Sequence, residues 1–495
     1  LRLPEATYLK HGLLGFILTI LSLSFIQQQF KLLKEKPLLG AFNVGTEFTF
    51  DSLNARKWFD GSFQSYADKK AETGIGFRKS LIRIHNQTDY TVFRKANAEG
   101  VLVGKNGELF EKDYIRAVRG DFFVGENVWK DKARKLKAVQ DTLEKLHKQL
   151  VIIFEPGKGT VYADRIPENE KSKDVPITNN DVFERELRIQ GVKVIDLNPY
   201  FVSIRDKEPN RIFPKGGTHW SYYGAALAAD TVLHFLKQGC QKNVATFSID
   251  KVVRFDSPRH PDADIWQAMN LIESEPNDQL AYPVIQFEKT KPASADVLVV
   301  GDSFYFNWQS DSIMYQAFGN CDFWYYNKHW WNRNGIEAGL VSSLDRKSEI
   351  MKRDIILIMI TERFHHNFAW GFDEELYDLF YPSDNDALAN FANTLRCSND
   401  QFMRLVDDAE VKQINLEQRI DLEAQYLLYE DYKKHPEKYT RKEELLPILM
   451  MSIRQTPNWL AQVQKKAEAK NIPLDEMIRM DAEWIYNEKY GKKNP

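Results

Sequence analysis

Four short apolar runs constrain this chain more than any other feature: "LVIIFEP" from Leu150, "VKVIDLNP" from Val192, "DVLVVGDS" from Asp296 and "DIILIMITE" from Asp354. Three are continuous apolar runs, the one from Val192 is broken by Lys193 and Asp196, and each is closed by a proline, a glycine or a charge. Such runs are strands buried on both faces. The stretches between them carry helical patterning, as in the amphipathic segment from Val128 to Gln149. Strand and helix in alternation predict an α/β domain built on a mainly parallel sheet. "TFSI" and "DKVVRF", near 245 to 255, are weaker strand signals. "GVLVGKNGELFE", residues 100 to 111, reads as a hairpin turning at Asn106-Gly107. Before it, "RKWFDGSFQSYADKKAETGIGFRKSLIRIHNQTDY" reads as a loop and then a helix carrying Leu81, Ile82 and Ile84.

The last hundred residues lack strand periodicity. Trp459, Val463 and Ala467, then Met477, Met480, Ala482, Trp484 and Ile485, mark short amphipathic helices joined at Asn471 to Pro473. At 495 residues the chain is too long for one ordinary core. The expected division is an N-terminal anchor with its flanks at 1–36, a leading segment at 37–120, an α/β domain at 121–395 and a helical extension at 396–495.

The N-terminal run "GLLGFILTILSLSFI", residues 12 to 26, holds no charge. Its 15 residues fall short of the roughly 20 that an upright span requires, so Leu9 and Gln27 to Gln29 would complete it. "SFIQQQFKLLKEKP" is a poor cleavage site, which favours an uncleaved anchor over a signal peptide. A core helix is the alternative. Lysines on both flanks weaken the positive-inside argument. The expected topology has the short end inside and the body outside.

A formal net charge of -3 leaves no basic footprint for nucleic acid, and the lysines from Lys130 to Lys148 read as a solvated helix face. Aromatic residues reach 13%, which suits a carbohydrate groove and a large core equally. Cys240, Cys321 and Cys397 form neither a disulfide framework nor a CxxC site.

Chemistry concentrates at two places. Ser303 follows a buried strand in "GDSF", where a turn would hold its hydroxyl clear of the sheet and its N–H would face a developing oxyanion. Gly301 permits a close backbone turn. An N-cap serine or a plain turn is the blander reading. A serine nucleophile needs a base, and His219 in "GGTHWSYYG" sits on a loop ahead of a helix that Ser221 can cap. No ligand-spaced His, Cys or acid accompanies it, so a metal site is not expected. His365 and His366, in "TERFHHNF", are the rival base or metal ligands.

The pair "THWSYYGA" and "VVGDSF", in that order, resembles the SGNH hydrolase-like family of alginate O-acetylation proteins and their DHHW-type relatives. "WFDGSFQSY", "GFRKSLIRIHNQTDYTVF", "GVLVGKNGELFEKDYI" and "IIFEPGKGTVY" fall where that family has its leading segments, so the likeness covers roughly residues 55 to 370. It implies a three-layer α/β/α fold facing the periplasm, held at the cell inner membrane by the anchor. It implies an O-acyltransferase, most simply an O-acetyltransferase, acting on a cell-envelope or exported polysaccharide through a serine acyl-enzyme. An acyl donor but no cofactor is implied, and a multi-span membrane acyl carrier is the implied partner. Ser303 matches the family's nucleophile and His219 its base.

The family's third member is the aspartate of Asp-x-His, and here that position is Gly217. Losing the analogous aspartate costs a serine protease about 10⁴ in kcat. Glu362, just past "DIILIMI", is the first candidate for a substitute acid and Asp302 the second. A Ser-His dyad, a decayed site in an accessory or polysaccharide-binding protein, and an esterase that passes the acyl group to water are the alternatives.

Overall fold

The computed structural model describes residues 5–39, 58–255, 257–274, 280–288, 292–381 and 386–490. The linker expected from Pro37 and Gly40 continues into 40–57, which lie outside the described residues. Two compact units are present. One comprises Leu1–Lys112, Phe213–Ser221 and Arg254–Leu280, and the other Asp113–Ile212, Tyr222–Val253 and Ala281–Pro495.

The first unit begins with a 26-residue helix, Glu5–Phe30. Within it Lys10–Phe30 has a hydropathy of 1.5 and is long and apolar enough to cross a membrane, although a signal sequence forms the same kind of helix. Leu13, Phe16, Leu21 and Phe25 are mostly exposed along it. Helices Ser62–Gly74 and Arg78–Phe93 follow. The expected hairpin is formed by β1 (Val101–Val103) and β2 (Leu109–Glu111), antiparallel, with Asn106 and Gly107 both left-handed at the turn. Its core gathers Tyr90, Leu109, Ile265, Trp266 and Met269, from segments far apart in the chain.

Two backbone bonds string the loop 213–221 between these segments. Leu109 N donates to Lys215 O, and Trp266 N donates to Gly216 O, each at 2.9 Å. The loop that carries His219 is thereby fixed against the short helix Asp264–Ala268.

The second unit is a mixed α/β core continued by a C-terminal helical region. Its strands are β3 (Gln149–Glu155), β4 (Val194–Asp196), the separate antiparallel pair β5 (Phe247–Val253) and β6 (Tyr282–Phe287), then β7 (Asp296–Gly301), β8 (Asn320–Tyr325), β9 (His329–Trp331), β10 (Glu337–Leu340) and β11 (Ile355–Thr361). The seven-stranded sheet has the order β10-β9-β8-β7-β11-β3-β4. From β4 to β8 the neighbours are parallel, and β9 and β10 extend the sheet antiparallel. The four apolar runs are therefore adjacent strands, β7, β11, β3 and β4. The two weaker signals near 250 are one strand, β5.

β8 lacks the continuous apolar pattern because Asn320 and Asp322 interrupt it. The interruption is compensated in three dimensions: buried Arg353 donates to Asp322 Oδ2 at 2.7 Å and to Asp296 Oδ1 at 2.8 Å. Charge-assisted bonds of this kind satisfy groups that a strand interior otherwise leaves desolvated.

The helical tail divides. Helices Ala387–Cys397, Asn399–Lys412 and Leu416–Lys434 contribute Leu395, Phe402, Leu405 and Ile420 to the same core as the sheet. Helices Lys442–Gln455, Pro457–Lys470 and Leu474–Lys489 close a cluster of their own around Ile453, Val463, Met477 and Ile478. Met480 and Trp484, read from the sequence as part of the apolar face, point largely to solvent.

The sheet carries the stability of this unit. Leu298, at the centre of β7, is wholly buried. Leu298→Ala is expected to lower the unfolding free energy by about 3 kcal/mol, read as a fall in the urea midpoint.

Candidate active site

β7 and β11 pair in register from Val297–Ile355 to Gly301–Met359, so they run out at the same edge of the sheet. A Cβ on Gly301 would come within 2.9 Å of Met359 O, and glycine is what allows β7 to lie this close as it ends. Asp302 turns inward. Its Oδ1 accepts from Phe304 N at 3.0 Å, and its Oδ2 accepts from Thr361 N at 3.1 Å and Thr361 Oγ1 at 2.7 Å. Ser303, the next residue, is partly exposed, and its carbonyl accepts from Phe306 N at 3.2 Å. The helix beyond is short, Tyr305–Ser310.

His219 is mostly buried, and its Nδ1 lies 2.8 Å from Asp264 Oδ2. The other oxygen of Asp264 accepts from Thr218 N at 3.0 Å and Ile265 N at 2.7 Å. Burial alone would raise this carboxyl. The hydrogen bond and charge of His219, together with those two N–H groups, outweigh burial and hold it below the usual carboxylate range. A carboxylate only accepts, so Nδ1 carries the proton, and in the neutral ring the lone pair is on Nε2. That is the tautomer a general base requires.

Gly217 has no room for the aspartate expected there. A Cβ would stand 2.8 Å from Asp262 O and 2.7 Å from Pro214 Cγ. The carboxylate comes from Asp264, 45 residues after the histidine it contacts. In "HPDADIWQAM" an aspartate opening a helix looks like an ordinary first-turn residue, so no local signal marks it.

The carboxylate on His219 Nδ1 is thus not that of Glu362. Glu362 is buried, and its Oε2 accepts from Thr160 Oγ1 at 2.5 Å. Burial, only partly opposed by that hydrogen bond, pushes its carboxyl up to about 8. Nor does Asp302 fill the role, since its oxygens hold Phe304 and Thr361. His365 and His366 pack as neutral rings. His366 stacks on Phe402 at 3.8 Å, His365 lies 4.5 Å from Phe154, and burial pushes both down to about 3. The described residues contain no cluster of three or more His, Cys, Asp or Glu suited to a metal.

Glu155, at the end of β3, was not anticipated. It is wholly buried and pairs in register with Thr361. Neither oxygen meets a conventional donor. Burial, and then the charge and hydrogen bond of Asp302, push its carboxyl well above the ordinary range. Its place in "LVIIFEP" reads only as the polar end of a strand.

Comparison with known proteins places these residues in context. Residues 101–306 match the family described as SGNH hydrolase-like domain, acetyltransferase AlgX. The chain is 20% identical over 196 residues to the probable alginate O-acetylase AlgJ of Pseudomonas putida, covering 39% of this chain and 48% of that protein. It is 29% identical over 133 residues to the alginate biosynthesis protein AlgX of Pseudomonas aeruginosa, covering 26% of each. The chain thus spans about half the length of the first relative and about a quarter of the second. The solved O-acetyltransferase domain of Pseudomonas putida AlgJ is similar at 14% identity and a TM-score of 0.38, over 57% of this chain and 99% of that one.

Two outcomes follow from the packing. Gly217→Asp, which would restore the family pattern, is expected to destabilise the protein by about 1–3 kcal/mol, because its Cβ meets a backbone carbonyl; differential scanning calorimetry reads this as a lowered Tm. Glu362 has its folded-state carboxyl raised above its unfolded value. Its contribution to stability is therefore full below the ordinary carboxylate range and lost as pH rises to about 8. Between pH 5 and pH 9 the wild type should lose on the order of 4 kcal/mol more stability than Glu362→Gln in urea unfolding.

Proposed function

From the premise that residues 101–306 belong to an SGNH hydrolase-like domain related to the alginate O-acetylation proteins, we propose that this chain is an O-acyltransferase. Its acceptor is an exported or cell-envelope polysaccharide and its acyl group is most simply acetyl. Ser303 is the nucleophile, His219 the base, and Asp264 the acid that orients the base.

In this reading Ser303 Oγ passes its proton to His219 Nε2 as it attacks the carbonyl carbon of the acyl donor. The tetrahedral intermediate collapses to a Ser303 ester, and the leaving group takes the proton back from the imidazolium. A sugar hydroxyl then attacks the ester, gives its proton to Nε2, and leaves acylated as Ser303 Oγ is reprotonated. Asp264 keeps Nδ1 protonated throughout and stabilises the imidazolium at each transfer. No cofactor enters these steps.

The observation that carries the proposal is the 2.8 Å bond from His219 Nδ1 to Asp264. A decayed site in a binding protein was suggested by Gly217 alone, and a carboxylate at the imidazole removes the reason for preferring it. An esterase shares every step except the last, where water replaces the sugar hydroxyl. The relatives are named for O-acetylation, which favours transfer.

The surrounding architecture is read in the same way. The α/β core is a three-layer α/β/α domain, and Lys10–Phe30 is a single-pass anchor in the inner membrane that leaves the body in the periplasm. A multi-span membrane acyltransferase supplies the acyl group from the cytoplasmic side.

Incubation with an activated acyl ester should add one acyl mass to the wild type and none to Ser303→Ala, as read by intact-protein mass spectrometry. Asp264→Asn should slow acylation by about 10³–10⁴, whereas Glu362→Gln should not. Wild-type acylation kinetics in Asp264→Asn would remove Asp264 from the mechanism.

A further inference from the structure

Two loops of the sheet unit hold aromatic residues in a backbone conformation that aromatic residues avoid. After β8, Tyr326 has φ 53° and Asn327 φ 51°; after β11, Ala369 has φ 49° and Trp370 φ 51°. Left-handed backbone is natural for glycine and tolerated by asparagine, but it is strained for a bulky ring. Strain of this kind persists only where its surroundings enforce it, and it gathers at ligand clamps and active sites.

The surroundings here are specific. Asn327 Nδ2 donates to Trp370 O at 3.2 Å and to Glu375 Oε2 at 3.1 Å, and Arg346 donates to Asn327 Oδ1 at 3.3 Å while pairing with Glu375. One buried asparagine thus locks both strained turns together. The rings they present touch each other: Tyr326 and Trp370 have centroids 4.8 Å apart, and Phe364 lies 5.5 Å from Tyr326 and 5.6 Å from Trp370. All three are only partly buried. Tyr326 N donates to Gly301 O at 2.9 Å, which places this cluster beside the end of β7, two residues before Ser303.

Packing accounts for one side of the cluster: Phe364 and Trp370 lie against the core, Tyr325 stacks on Tyr326 at 4.1 Å and Arg363 lies over Phe364 at 4.5 Å. It does not account for strained backbone at Tyr326 and Trp370, from which a core gains nothing. Rigid, partly exposed rings next to a nucleophile suit a site that binds an amphipathic ligand by its apolar face. A pyranose has such a face, made of axial C–H bonds, with hydroxyls at its rim.

We propose that Tyr326, Trp370 and Phe364 form a preset platform on which a pyranose ring of the polysaccharide stacks, presenting a neighbouring hydroxyl to Ser303. As to the hydroxyl transfer, this rests on the acyltransferase reading; as to binding, it does not. The lock through Asn327 spares the ordering of two rings at the moment of binding.

The test uses the full chain in detergent with cellohexaose and hexamannuronate as probes. Hydroxyl-radical footprinting read residue by residue should show Tyr326 and Trp370 protected by at least one hexaose, with no variant required. Trp370→Asn keeps a residue that tolerates the turn and removes the ring; it should weaken hexaose binding at least tenfold in isothermal titration. Trp370→Tyr should recover most of that loss, which a scaffolding role would not predict. Ser303→Ala should bind as the wild type does. If the wild type binds a hexaose and protects these rings but forms no acyl-enzyme, the platform stands and the acyltransferase reading falls. If the acyl-enzyme forms but neither hexaose binds or protects these rings, the platform is overturned and the acyltransferase reading survives.

Discussion

The Asp302 carboxylate is the interaction on which the edge of the sheet depends. It accepts from Phe304 N just beyond β7 and from both the N–H and the hydroxyl of Thr361 at the end of β11. Two neighbouring parallel strands are thereby tied where their own ladder stops. Asp302 is buried by these bonds, while the next residue, Ser303, stays partly exposed. Glu155 lies wholly buried at the end of the next strand, β3, where burial and then the nearby Asp302 raise its carboxyl well above the ordinary range. The tripeptide "GDS" is thus an anchor residue, tied across β7 and β11, followed by a partly exposed serine.

The imidazole shows a different economy. What His219 requires is an acceptor at hydrogen-bond distance from Nδ1, and that requirement says nothing about where in the chain the acceptor comes from. The loop between Pro214 and His219 is pinned on one side to the hairpin and on the other to the helix that Asp264 opens. Once pinned, Gly217 is pressed against Asp262 O and cannot carry a side chain, while Asp264 reaches both the loop backbone and the ring. Loss of the aspartate at one position and its supply from another belong to one packing solution. The carboxylate that looks missing along the chain is supplied to His219 in space.

Burial separates the remaining titratable groups from this chemistry. Glu362, His365 and His366 follow β11 closely, where site residues of α/β domains gather, and residue type alone made them plausible participants. Desolvation disfavours charge on each, so Glu362 is raised and the two histidines are lowered. The rings of His365 and His366 pack on Phe154 and Phe402, and Glu362 bonds Thr160. They serve the core that supports the sheet's edge.

The sequence by itself determined the four central strands, the hairpin at Asn106-Gly107, the long helix before β3 and the helical character of the tail, because each is written in local periodicity or turn chemistry. It also offered Ser303 and His219 as the candidates for nucleophile and base. It could not show β8, whose Asp322 is met across β7 by Arg353 just ahead of β11, and whose Asn320 bonds Asp296 at the start of β7. It could not show Asp264 or Glu155, since the partner of each lies 45 residues or more away and contact at that range leaves no mark on local pattern. Nor could it show that Tyr326 and Trp370 share a strained lock through Asn327. Periodicity reports which face of an element is buried; only tertiary structure decides which polar group meets which.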